Sequence, residues 1–208
     1  MVRKLPAKVA SQLYAAAELI AERGLDGARM EEIADVTGVP KATLYYHLDG
    51  KNAVLEFLLT DFLELIGGAV GVAVTGPETA RERLGSAITA QLAVMLEHPH
   101  LCRALVGDLG RATRLPELAV ALDAAFLTPI EELLLQGVED GSLRAVDDPA
   151  TVAASIFGAV TVTGLSVTAG MRDATGVEVS HLSSSIQQLL TAGLATRPAA
   201  HPPVPSSS

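Results

Sequence analysis

The stretch MEEIADVTGVPKATLYYHL, residues 30–48, decides the fold class. Met30, Ile33 and Ala34 recur at helical spacing and predict a short helix over 30–36 with that side inward. Thr37-Gly38-Val39-Pro40 reads as a turn. Gly38 is free to take a positive φ, and Pro40 suits the first turn of a following helix. A second short helix is predicted over 41–48. Leu44 and Leu48, four apart, face inward with Ile33, Ala34 and Val39. Short helix, glycine turn, short helix is the helix-turn-helix pattern, whose second helix enters the DNA major groove. The residues left outside suit that task. Lys41 and Thr43 can hold phosphates, and threonine can also touch base edges. Ala42, Tyr45, Tyr46 and His47 complete the outward surface. Two of the chain's three tyrosines stand here, which favours a reading surface over a plain packing hairpin.

Helical signals continue on both sides. Over residues 8–23, Val9, Leu13, Ala16, Ala17, Leu19 and Ile20 keep near 3.6-residue spacing, and Gly24 is a stop. A longer helix starts near Gly50-Lys51 and carries Val54, Leu55, Leu58, Phe62 and Leu65. Gly67, Gly68, Gly71 and Gly76 weaken its end before Pro77. Leu84, Ile88, Leu92 and Met95 make a stripe ended by Pro99, and a short piece follows from His100 to Gly110. Another stripe runs from Leu118 to Leu134, kinked at Pro129. Asp148 followed by Pro149 is a helix start, acid as cap and proline at the first position. Helices are predicted over about 150–169 and 178–194, and the Pro- and Ser-rich tail 197–208 reads as disordered. The expected fold is all-α. A three-helix head over residues 1–50 carries the helix-turn-helix, and a larger helical domain over 51–196 binds ligand and dimerises.

Charge divides the chain the same way. The 208 residues carry a formal charge of -9. Residues 1–51 hold seven basic and seven acidic side chains, so the remainder carries the whole excess. Only the first part can approach phosphates at low repulsion cost. Arg3, Lys4 and Lys8 are candidates for further backbone contacts. Residues 149–171 hold no charge and are long enough to span a bilayer. Their six Thr and Ser residues, three glycines and missing aromatic belt favour a helix buried inside a protein. A single cysteine, Cys102, excludes an internal disulfide framework, and the basic N-terminus has no apolar run behind it to make a secretory signal.

Gly24, Ile33-Ala34, Thr37-Gly38-Val39, Thr43-Leu44-Tyr45 and Lys51 resemble the TetR family of bacterial transcriptional regulators. The resemblance covers residues 8–58. It implies a cytoplasmic homodimer on a palindromic double-stranded operator, released when a small-molecule effector enters the C-terminal domain. It implies no cofactor, no membrane and repression as the commonest mode. Half-sites would lie about 34–36 Å apart, or a multiple of that, with Lys51 near a phosphate. Three positions depart from the family pattern. Arg29 stands where a capping Ser or Thr is usual, a loss of ~1 kcal/mol unless Arg29 reaches a phosphate instead. Pro40 replaces a serine, and Leu48 replaces a phenylalanine.

In the C-terminal part, Ile156, Val160, Leu182, Ile186 and Leu189 are candidates for a four-helix dimer interface; the alternative is that they are the protomer's own core. Phe62, Met95, Leu105, Leu122, Phe126 and Phe157 are candidate apolar lining for an effector, with Arg103, Asp108 and Thr161 as polar anchors. The low aromatic content favours an aliphatic effector over a flat polyaromatic one. His98-Pro99-His100-Leu101-Cys102 holds metal-ligand types, but Pro99 breaks the helix and no further cluster joins them, so no metal is expected. A nucleophile motif, a phosphate loop and an HExxH pattern are all missing. Two competing functions stay open at this point: a helical enzyme using Asp108, His98 or His100, and a head that binds a protein partner.

Overall fold

A computed structural model describes residues 5–108, 110, 116–171 and 178–194. Arg3, Lys4 and the tail 197–208 lie outside the described residues. Among those described, the regular elements are helices: α1 (Ala7–Leu13), α2 (Ala16–Gly27), α3 (Met30–Thr37), α4 (Lys41–His47), α5 (Lys51–Val74), α6 (Ala80–Glu97), α7 (Pro99–Gly107), α8 (Pro116–Leu122), a π-helical turn (Asp123–Leu127), α9 (Thr128–Glu139), α10 (Pro149–Thr168) and α11 (Val179–Leu194).

The first predicted helix is two segments, α1 and α2, separated by a tight turn at Tyr14 and Ala15. Gly24 does interrupt α2, at φ 69 and ψ 161, a conformation that glycine adopts without strain. Gly67, Gly68 and Gly71 do not end α5, which runs on to Val74. Packing is the reason. A Cβ on Gly67 would stand 3.3 Å from the Cα of Ala125, so the glycine lets α5 lie against the π-helical turn. Pro129 has no N–H to offer Ala125 four residues back. The widened turn lies just before it, where the sequence predicts a kink.

Asp148 caps α10 as expected, accepting from Thr151 N at 3.0 Å and from its hydroxyl at 2.5 Å. Those bonds, the hydroxyl's first, hold its carboxyl below the usual range. Both α5 and α10 are long and apolar enough to cross a membrane. Here they run through the core: Leu55, Leu58, Leu59 and Phe62 of α5 and Ile156 and Val160 of α10 are fully buried. Each such side chain contributes roughly 1.5–3 kcal/mol of burial. α6 lies centrally, against α5, α9, α10 and α11. The head rests on this body mainly through α2, which packs on α7 more than on α5.

Candidate DNA interface and effector core

The turn between α3 and α4 is locked from several sides. Gly38 sits at φ 66, ψ 13. The Thr37 hydroxyl donates to the Ile33 carbonyl at 2.6 Å and accepts from Val39 N at 3.3 Å. Gln12 of α1 donates to the Thr37 carbonyl at 3.3 Å. Leu44 and Leu48 are buried with Ile33 and Val39, so both ends of α4 are pinned. Pro40 lies one position earlier than expected: it is the cap residue, and its carbonyl accepts from Leu44 N at 3.0 Å. Arg29 caps α3 in part. Its side chain holds only donors, but its backbone N–H donates to Glu32 at 3.0 Å, which is half of a capping box. Arg23 also bonds Glu32, at 2.5 Å, and the Arg29 side chain stays exposed.

Pinning α4 in this way leaves one face outside. Tyr45 is 52% and Tyr46 64% exposed. Lys41 and Ala42 are exposed as well, and Thr43 and His47 are half-buried. Tyr46 and His47 meet edge to face, ring centroids 4.9 Å apart. The Lys41 ammonium pairs with Glu31 of α3 and lies 5.8 Å from the Tyr45 ring centre. The hydrogen bond between them raises the Lys41 pKa and lowers that of Glu31. Any phosphate at Lys41 therefore competes with Glu31. Lys51, expected near a phosphate, has partners within the chain. Its ammonium donates to the carbonyls of Asp26 at 3.0 Å and Ala28 at 3.2 Å. It ties the end of α2 to the start of α5, which accounts for two of its three donors.

The body divides the other predicted residues. Phe62, Met95, Leu105, Phe126, Phe157 and Thr161 are buried in one core, with the Phe126 and Phe157 rings 5.5 Å apart. Leu122 packs at its edge. Arg103 and Asp108 are not there. They line a cleft of about 450 Å³ between α7 and α2, together with Arg23 and Asp26. Arg103 donates to the Ala21 carbonyl at 3.3 Å; Arg103 at the middle of α7 and Asp108 just past its end lie where that helix packs on α2, which is the reason. Ile156, Val160, Leu182 and Ile186 are corrected likewise, since all four are buried within the single chain. Only Leu189, 71% exposed, faces outward. Cys102 is buried and accepts from the Thr168 hydroxyl at 3.6 Å. Burial pushes its thiol pKa up, the wrong direction for a reactive thiolate. His98 lies beside Phe62, ring centroids 6.4 Å apart, and no metal-binding cluster occurs among the described residues.

Two family models match this arrangement. The one for bacterial regulatory proteins of the tetR family matches residues 13–58, which hold the helix-turn-helix. The one for the tetracyclin repressor-like C-terminal domain matches residues 77–164. The chain belongs to the TetR family. Among TetR-family relatives, the transcriptional repressor KstR2 of Rhodococcus jostii is 29% identical over 62% of this chain and 65% of its own length. The match thus spans about two-thirds of that relative. The fatty acid metabolism regulator protein of Bacillus subtilis is 24% identical over 93% of this chain and 98% of its own length. The solved structure of Bacillus subtilis FadR in complex with stearoyl-CoA overlays with a TM-score of 0.72 and 22% identity. That overlay covers 88% of this chain and 98% of FadR.

Two residues of this TetR-family chain escape the sequence reading. Glu31 meets Lys41 only across the folded turn, and no local spacing signals that. Gln91 had a signal. It sits between Ile88 and Met95 at helical spacing, a polar residue on the inward stripe of α6, and it is buried.

Proposed function

We propose that the chain is a transcriptional repressor that binds a palindromic operator as a homodimer and releases it on binding an acyl-CoA thioester. The pinned, outward face of α4 carries this reading. Lys41, Ala42, Thr43, Tyr45, Tyr46 and His47 would read one half-site, with Arg29 at its flank. The unit over residues 1–50 acts as the DNA head and that over 51–196 as the effector and dimerisation domain, in the cytoplasm and without a membrane partner. The neutral head and the acidic remainder support a fixed polarity on DNA. Dimerisation falls to the outward faces of α10 and α11, among them Ala154, Ser155, Val162, Ser185 and Leu189, all exposed in the single chain. The stearoyl-CoA bound by the FadR structure and the aliphatic core around Phe62 and Met95 support an acyl effector.

The test is selection of bound duplexes from a random DNA pool, followed by titration with stearoyl-CoA. A recovered palindrome with half-sites about one helical turn apart, released by the thioester, is expected. A failure to enrich any duplex, repeated after the protein is denatured, stripped of ligand and refolded, would overturn the operator reading. A recovered complex insensitive to salt would count against phosphate contact by the head, because phosphate contacts weaken steeply as salt rises.

A further inference from the structure

The described part of the body buries three polar side chains among its apolar ones: Gln91, Thr161 and Ser183. Ser183 is satisfied within its own helix, donating to the Ser180 carbonyl at 3.0 Å. The other two form a cross-helix pair. Gln91 of α6 is 1% and Thr161 of α10 is 3% exposed. Gln91 Nε2 donates to Thr161 Oγ1 at 3.3 Å, and the Met95 sulfur lies 3.8 Å from the same nitrogen. Gln91 Oε1 has no partner. Polar atoms inside a protein are nearly always hydrogen-bonded, and one left open usually serves a purpose.

Thr161 also differs from several hydroxyls of α10. Ser155, Ser166 and Thr168 turn back to carbonyls of their own helix. Thr161 accepts from Gln91 and keeps its own proton to give. If the Gln91 amide is turned over, its oxygen takes that proton and its nitrogen becomes the open donor. As placed, the pair leaves the Thr161 proton and the Gln91 Oε1 acceptor unspent; turned over, it leaves the amide N–H donors, so in both arrangements a donor stands unspent in an apolar surround. Beside it, Met95 fills the space against Gly164. A Cβ on Gly164 would stand 2.9 Å from the Met95 methyl carbon. An unbranched thioether is the side chain best able to swing clear of such a spot.

We infer that Gln91 and Thr161 form the polar contact for the carbonyl oxygen of an acyl thioester, with Met95 as the side chain displaced by the entering chain. The inference rests on the acyl effector proposed above and assigns its polar end a place. Ligand specificity then divides in two: the aliphatic core accepts the chain, and this pair demands a carbonyl.

The experiment compares two probes on the full chain by calorimetry: stearoyl-CoA, and S-octadecyl-CoA, the thioether that lacks the carbonyl. The parent protein binds the thioester about tenfold or more tightly than the thioether, the worth of one buried hydrogen bond. The Gln91→Leu/Thr161→Val variant binds both alike, at the thioether's affinity. Its melting temperature and operator binding show that it is folded. A parent protein that binds both probes equally overturns the inference and leaves the acyl effector standing. Binding of neither probe overturns both. A variant that keeps the parent's preference for the thioester places the carbonyl elsewhere and also overturns the inference.

Discussion

At the scale of single residues, the DNA face is restrained by its own neighbours. Lys41 is shared with Glu31, so its charge is not wholly available to a phosphate. In the Glu31→Gln variant the lysine loses its anionic partner while α4 stays pinned through Leu44 and Leu48. Operator affinity at low salt is expected to rise a few-fold, and the gain to shrink as salt screens it; a fluorescence anisotropy titration at two salt concentrations checks this. An affinity that falls or stays level would mean that Lys41 faces no phosphate. The tyrosines are a contrasting case. Tyr45 and Tyr46 are both more than half exposed, so Tyr45→Ala and Tyr46→Ala should leave the melting temperature within a degree or two, since exposed changes usually cost under about 0.5 kcal/mol. Operator binding should fall by tenfold or more if each side chain holds a base edge or a phosphate. Intact binding in both variants would remove α4 from the reading face.

At the scale of helices, α5 carries a strain that its sequence does not announce. Glu56 is drawn partly into the protein opposite Glu117 of α8. Burial raises its pKa, and the facing carboxylate adds to the effect. A carboxyl whose folded pKa is raised binds its proton more tightly in the folded chain. It therefore costs stability above the carboxylate range and ceases to as pH falls through that range. Glu56→Gln should raise the melting temperature at pH 7, and the gain should vanish on acidification to below about pH 4, where the unperturbed carboxyl is protonated. A melting series across pH tests it, and equal curves at neutral pH would count against the pair. What the sequence made legible follows the reach of each signal. The α3–turn–α4 unit rests on contacts close in sequence, with Gly38 and the apolar spacing on display, and its outward face could be read directly. The close packing of α5 at Gly67 depends on Ala125, nearly sixty residues away. Ile156 and Leu182 look the same in sequence whether they pack inside a protomer or between two, because apolar spacing marks a buried face and not the molecule that covers it.

At the scale of the whole molecule, regulation requires a link that distinguishes the effector-bound body from the free one. One candidate is α5, which runs on directly from the head. The packing points to α7 instead. It touches α10 and α6 on the core side and carries most of the contact with α2 on the other. Arg103 is a polar tie of that joint, donating to the Ala21 carbonyl three residues before Gly24, where α2 is interrupted. On the acyl-effector proposal, a body that rearranges around an acyl chain next to α6 and α10 would displace α7, and Arg103 would pass that displacement to the head. Arg103→Ala should leave binding of stearoyl-CoA and of the operator, each measured alone, within a few-fold of the parent. The ratio of operator affinities without and with the thioester should fall by about tenfold, the low end of what one charge-assisted hydrogen bond is worth. Linkage makes the test strict: the operator's effect on thioester affinity must shrink by the same factor. If both ratios keep their parental value, the signal bypasses α7 and the direct connection through α5 is the coupling element. If an affinity measured alone falls while both ratios hold, the variant has altered a binding site and not the link between the two.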